Sequence, residues 1–419
     1  MKCRFCDKDG IFKFLELGTM ALANSFLTAD EVSSGTEPAY PLDVYFCEQC
    51  GLVQIGYAVP PEALFKEYIY FSATSDLVHR HAAYLAQSFQ KRFGLDETSL
   101  VVEIASNDGT VLTYFKKTGV KVLGVEPATN IARVAIESGI ETCNEFFDEE
   151  SAKMVKERYG SADVILGRHV FAHVPEIHGF VKGLKSILAP GGAVAIEAPY
   201  LIDFVEKNEF DTVYHEHYSY LSVRSMSHLF NKFDLEVFDV ERVAIHGGSI
   251  IYFIGHQGAH DISANVPQLI ASEIAKGLDR NETYVEFAKR TAALKDDLLK
   301  LLRGLKAEGK RIAAYGAPAK GNTLLNYFGI STDLVEYTVD KSPYKQNLYT
   351  PGMHLPVYHP NAGLKQAGAT WAWSYHSPKS LVYQVSWTQL FLVGPARNSP
   401  ANERQSEFTA LIGVGGAIE

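Results

Sequence analysis

Between Leu100 and Tyr200 the chain alternates short β-branched apolar runs with stretches of helical spacing. SLVVEI, KVLGVEP, ADVILGRHV and AVAIEAPYL read as strands. The residues from Val111 onward, ATNIARVAIESG and EIHGFVKGLKSILAPGG read as helices, with Gly139 and Gly191-Gly192 as stops. Strands that alternate with helices predict a parallel α/β sheet covered on both faces. A second alternation begins later. Gln268 to about Leu305 reads as a long charged helical stretch. KRIAAYGAPAKGNTLLNYFGI then gives strand, glycine-rich turn and helix, and VEYTVDKSP gives the next strand. A chain of 419 residues is too long for one core, so two or three domains are expected.

The region before the first alternation is organised differently. Cys3 and Cys6 form one C-x-x-C, and Cys47 and Cys50 form another, while Cys143 stands alone as a small buried hydrophobe. In a chain whose start, MKCRFCDKDG, has no apolar secretion signal, such pairs read as zinc ligands before disulfides. Four thiolates close a tetrahedral site, so the metal would be structural. A redox dithiol lacks the helix that normally follows it. A DNA-binding ribbon is disfavoured by the apolar, acidic segment between the knuckles. The module is expected to span residues 1–57, followed by a helical connector over 62–93.

A formal charge of −10 argues against a nucleic-acid partner. No run is long and apolar enough for a membrane span, so the expected location is the cytoplasm. After Pro360 the composition changes. Trp371, Trp373 and Trp387 all lie there, GATWAWSYHS is one candidate strand, and the rest has weak periodicity. Residues 361–419 read as an atypical tail that resembles a shifted reading frame more than a divergent domain end.

Two strand-to-helix turns are candidate ligand loops, because a helix start exposes unpaired N–H groups at the carboxyl end of a strand. VEIASNDG carries one glycine, Gly109, among Glu103, Ser106, Asn107 and Asp108. It lacks the glycines of a dinucleotide loop. Glu126, ending the next strand, is placed to accept from two ribose hydroxyls. A ribose without pyrophosphate, beside a cationic centre, points to S-adenosylmethionine. GAPAKGNT, with Gly316, Lys320 and Gly321, could cradle a diphosphate but is not a Walker loop.

Taken in order, the C-x-x-C pair, Y-x-Y-F-S, EIASNDG, HVFAHVP, YHEHYSYLS, HGGS, GAPAKGNTLLNYFGI and P-G-M-H-L-P-V resemble the sugar C-methyltransferases of nucleotide-linked 4-keto-6-deoxyhexoses. The resemblance covers residues 1 to about 360. It implies an N-terminal zinc module, a central Rossmann-like class I methyltransferase domain over 58–255, and a C-terminal Rossmann-like domain over 256–360. It also implies methyl transfer to C3 of the sugar, beside the C4 ketone, on a substrate expected to be a dTDP-sugar; the oligomeric state is left open, with a monomer favoured. Cofactor-binding positions are then Tyr70, Glu103, Ser106, Asn107, Gly109 and Glu126. Substrate-binding positions are His246, Ala317, Lys320, Gly321, Asn322 and Lys345.

The stretch DTVYHEHYSYLS holds the ionisable rings such chemistry needs. A carbon next to a ketone becomes nucleophilic once a base near neutral pH removes its proton. Histidine is that base, tyrosine or a second histidine can stabilise the enolate, and a glutamate can fix the imidazole tautomer. By resemblance, His217 is the base, with Glu216 and Tyr214 beside it and His173 and Tyr68 completing the site. Neighbours in a strand face opposite ways, so His217 and Glu216 require a turn. His215 reads as a satisfied interface histidine, and Tyr218 and Tyr220 as strand residues. An H-x-H metal site with His173 is the competing reading. Rival functions are O- or N-methylation of a small metabolite, and a non-enzymatic zinc and Rossmann binding protein. Four positions depart from the pattern: Ala105 stands where glycine is usual, Arg168 and His169 add charge before FAHVP, and Lys341 follows Asp340.

Overall fold

The computed structural model describes residues 1–65, 71–245 and 248–361, together with the backbone of two strands, Gln389–Val393 and Ile412–Gly413. Tyr68, Tyr70, His246 and GATWAWSYHS lie outside the described residues.

The N-terminal module is built on an antiparallel sheet of Phe12–Ala21, Ala39–Phe46 and Val53–Ile55. A fourth strand, Ser219–Tyr220, comes from the middle of the chain, with Val53 opposite Tyr220 and Gln54 opposite Ser219. The N-terminal module thus pairs directly with the residues that follow His217. The expected connector is a helix Pro61–Phe65, a 3-10 turn Ser72–Thr74 and a helix Asp76–Phe93. Ser75 caps the long helix by accepting from the Val78 N–H, and Gly94 ends it in a left-handed conformation.

The central sheet has seven strands, in the order Leu235–Val243, Ser249–His256, Leu188–Pro199, Ala162–Arg168, Leu100–Ile104, Lys121–Val125, Thr142–Cys143. The last five are parallel, and the hairpin of the first two adds an antiparallel edge. Every residue of Leu100–Ile104 is buried, as a strand covered on both faces must be. The chain leaves Leu100–Ile104 toward Lys121–Val125 and returns to Ala162–Arg168 on the other side. Their carboxyl ends form the switch point where open α/β sheets bind ligands.

Helices Asn265–Ala275 and Asn281–Ala307 divide the long charged stretch and lead into the C-terminal unit. There Arg311–Tyr315, Thr338–Val339 and Val357–Tyr358 run parallel, and Gln389–Val393 pairs antiparallel with Arg311–Tyr315. Among the described residues no helix is long and apolar enough to cross a membrane.

Candidate active site

The turn after Leu100–Ile104 is tightly wound. Ala105 and Asn107 adopt positive φ of 52° each, and Gly109 one of 75°. Its side chains mostly brace it. Asn107 Oδ1 accepts from the Ser72 N–H, and Asp108 accepts from the N–H groups of Ala73 and Thr110. The Glu126 carboxylate accepts from the Asn107 and Ala128 amides at 2.9 Å each, which fixes it at the rim of the same turn. Two atoms are left over. Among the described residues, Glu103 Oε2 and Ser106 Oγ are buried and have no hydrogen-bond partner. Buried oxygens of this kind are costly unless something binds them. Two carboxyls, Glu103 and Glu126, beside the Ser106 hydroxyl fit a ribose-bearing cation and do not fit a pyrophosphate. Burial drives the Glu103 carboxyl up to about 8, with Arg168 opposing the rise.

Arg168 and His169 belong to a buried charge network that the strand pattern alone did not explain. Glu197, 1% exposed, accepts from His169 Nε2 at 3.0 Å and His81 Nε2 at 2.5 Å. Arg168 lies between Glu197 and Glu103, 3.7 Å from the first and 3.8 Å from the second. Burial alone would raise Glu197, but Arg168, His169 and His81 together hold it well below the usual carboxylate range. The network ties three adjacent parallel strands beneath the cofactor turn.

The segment after Phe210–Thr212 supplies the turn that the His217 assignment requires. The His217 N–H donates to the Tyr214 carbonyl at 2.9 Å, with His215 and Glu216 at the bend. The His217 Nδ1 faces the Thr212 carbonyl at 2.8 Å. A carbonyl can only accept, so Nδ1 carries the proton and Nε2 keeps its lone pair. Burial, and then the neighbouring His173, push the His217 pKa well below its ordinary value. The ring stacks against Tyr214 at 4.0 Å and meets His173 edge-on at 4.8 Å, centroid to centroid. His173 is lowered to about 4 by burial, and its ring hydrogen-bonds the Glu216 backbone.

Glu216 does not fix the His217 tautomer, which corrects the sequence expectation; the Thr212 carbonyl does. The Glu216 carboxyl turns the other way and accepts from Asn24 Nδ2 at 2.6 Å. Burial raises it to about 7. His215 hydrogen-bonds the Tyr40 carbonyl and Tyr218 the Val59 carbonyl, while Tyr220 lies in the shared sheet. Among the described residues, the only cluster with metal-ligand geometry is Cys3, Cys6, Cys47 and Cys50.

The C-terminal turn places its residues unevenly. Gly316 adopts a φ of 91°. The Ala317 N–H is taken by Asp340 at 2.7 Å, and its carbonyl accepts from Lys345 at 2.9 Å. The acid from the next strand end therefore occupies part of the expected anion cradle. Gly321 and Asn322 are buried in the helix Ala319–Phe328, and Asn322 Nδ2 donates to the Ala23 carbonyl. Lys320 lies close enough to act electrostatically on both Glu209 and His217. Burial lowers the Lys345 pKa, and Asp340 opposes this.

In the N-terminal module the four sulfur atoms lie within 4.8 Å of one another. Each C-x-x-C sits in a turn closed by its own backbone, with the Asp7 amide donating to the Cys3 carbonyl and the Gly51 amide to the Cys47 carbonyl. Four convergent thiols with no fifth ligand suit a tetrahedral structural zinc.

Three family models match the chain. A C-methyltransferase C-terminal domain covers residues 244–373, a methyltransferase domain residues 77–240, and a proposed zinc binding domain residues 3–65. The C-methyltransferase NovU of Streptomyces niveus is 36% identical over 360 residues, 86% of either chain. Among solved structures, an S-adenosylmethionine-dependent methyltransferase from Aquifex aeolicus is 17% identical, with a TM-score of 0.33, and covers 44% of this chain and 98% of its own. The plantazolicin methyltransferase BpumL, in complex with S-adenosylhomocysteine, is 14% identical, with a TM-score of 0.33, and covers 42% of this chain and 84% of its own. Likeness at that score carries no functional weight.

Proposed function

The chain belongs to the C-methyltransferases, enzymes that use S-adenosylmethionine, and from that premise we propose that it methylates C3 of a nucleotide-linked 4-keto-6-deoxyhexose through an enolate. The observation that carries this reading is the hydrogen bond from His217 Nδ1 to the Thr212 carbonyl. It leaves Nε2 unprotonated, and burial keeps the ring neutral at physiological pH.

His217 Nε2 takes the proton from C3. The electron pair of that C–H bond moves onto the C4 oxygen, where the Tyr214 hydroxyl, on the ring beside His217, is the donor, and Lys320 adds positive potential. Bound at Glu103, Ser106 and Glu126, S-adenosylmethionine supplies an electrophilic methyl on a sulfonium. The methyl would pass to C3 as its bond to sulfur breaks and the C4 carbonyl is restored; S-adenosylhomocysteine would leave as the neutral thioether, and the His217 proton would be lost to solvent. The helix Ala319–Phe328 packs against Phe210–Thr212 and brings one cation, Lys320, toward the base, which suits an anionic nucleotide-linked substrate. Zinc, held by Cys3, Cys6, Cys47 and Cys50, has a structural role in this reading.

The test is incubation with a panel of nucleotide-linked keto sugars in deuterium oxide without the methyl donor, followed by mass spectrometry. Deuterium is expected at C3 with the wild type and absent with His217→Ala. A methyl group found on oxygen or nitrogen in the complete reaction would overturn the proposal.

A further inference from the structure

We infer that Asn24, carried by the N-terminal module, is a positioning residue for the reaction: its amide holds the Glu216 carboxyl in place at the bend next to His217. The inference rests on the carbon-acid reading of the site given above.

Asn24 Nδ2 donates to Glu216 Oε1 at 2.6 Å across 192 residues of sequence. Among the described residues no other side chain donates to that carboxyl. His173 reaches the Glu216 backbone only. The ionisable group that senses the carboxyl is Tyr218, whose phenol also feels Arg4 and Glu62. Burial and the Asn24 amide are therefore the two influences on Glu216, acting in opposite directions.

The loop bearing Asn24 is clamped on both sides by the C-terminal unit. The Ala23 carbonyl accepts from Asn322 Nδ2 at 2.7 Å. Leu27 and Tyr349 exchange two backbone hydrogen bonds, at 3.0 and 2.8 Å. The strand that leads into the loop, Phe12–Ala21, belongs to the sheet that Ser219–Tyr220 joins just after His217. Elements from three parts of the chain thus meet at one loop, and a short donor on a rigid loop is what holding a carboxyl in register requires.

Asparagine and aspartate have the same shape, so the donor can be removed without changing the packing. In Asn24→Asp two carboxylates would face each other and repel, except where they share one proton. With a nucleotide-linked keto sugar that the wild type methylates, Asn24→Ala and Asn24→Asp are expected to lower kcat about 10- to 100-fold. S-adenosylhomocysteine affinity should remain near wild type. Asn24→Asp should recover part of its kcat as pH falls through about 7, where the raised Glu216 and the new acid share a proton, and Asn24→Ala should not. Wild-type kcat in both variants overturns the inference. Loss of S-adenosylhomocysteine binding in both also overturns it, since the loop would then serve the fold and not Glu216. A wild type that methylates no keto sugar would instead refute the substrate reading, a result these variants do not produce.

Discussion

Arg168 Nη1 stands 3.8 Å from the Glu103 carboxylate, and among the described residues it is the cation that opposes the rise burial imposes on that acid. Even so, Glu103 is raised to about 8, so at neutral pH much of it is protonated. A cationic ligand prefers the ionised form, so binding must expel a proton below that pH. Affinity for S-adenosylmethionine is expected to rise between pH 6.5 and 8.5 and to release a proton. Calorimetry in two buffers of different ionisation enthalpy measures this. Glu103→Gln should bind more weakly and lose the protein's share of the pH dependence, leaving only the ligand's own. Equal proton release by both proteins would contradict the assignment.

The cofactor turn makes opposite predictions at two positions four residues apart. Ala105 adopts a φ of 52°, where a side chain is strained, so Ala105→Gly relieves the backbone. The relief is offset in part by the greater freedom of glycine in the unfolded chain. The net effect on stability should fall within about 1 kcal/mol, with cofactor affinity retained. Gly109 has a φ of 75°, and an added Cβ would meet Ile140 Cγ1 at 2.9 Å. Gly109→Ala combines strain with a clash and should cost about 2 kcal/mol or more. Chemical denaturation of the two variants beside the wild type decides both.

How much of this was legible in the sequence depends on whether the signal was local. The strand after Ser99, the stop at Gly139 and the two cysteine knuckles follow from neighbouring residues, and they lie where the pattern puts them. The partner of His217 Nδ1 is a backbone carbonyl, which has no sequence identity to read. Asn24 is 192 residues from Glu216, and nothing in LANSF announces the pairing. The Glu197 network left a readable trace. LVVEI and AVAIEAP each bury an acid in a parallel strand, and buried acids need partners. Arg168, the last residue of the strand between them, and His169, which follows it, are those partners. At GAPAKGNT the loop itself lacks an acid, but the fold brings Asp340 to the Ala317 amide, and local reading could not foresee that.

The four-cysteine cluster predicts a metal content of about one zinc per chain. Cys50→Ala leaves three ligands and a cavity in a buried site, so zinc should be lost on gel filtration. Because Val53–Ile55 pairs with Ser219–Tyr220, the damage should reach the His217 turn. The variant should therefore lose C–H exchange before it loses the circular dichroism of the central sheet. Atomic absorption, exchange and circular dichroism on the same sample separate these. Full exchange activity without metal would show the module to be dispensable for the site.

Acid should affect this protein less than its buried histidines suggest. His173, His215 and His217 all have lowered pKa values, so the unfolded chain binds protons that the folded one refuses as pH falls through about 6.5. Taken alone, that makes stability fall with pH, by up to about 1.4 kcal/mol per pH unit for each ring. Glu103 and Glu216 act the other way. Their folded pKa values, about 8 and about 7, lie above the unfolded carboxylate range. Between pH 7 and 5 the folded chain keeps protons that the unfolded chain has released, so these acids add stability as pH falls. The two sets oppose each other, so the denaturation midpoint should change less from pH 7 to 5 than the histidines alone would require. Glu216→Gln removes one compensating acid. Its stability should fall relative to the wild type by about 1 kcal/mol per pH unit over the same window. Urea titrations at four pH values test this, and parallel curves for the two proteins would mean that the Glu216 carboxyl is ionised in the fold.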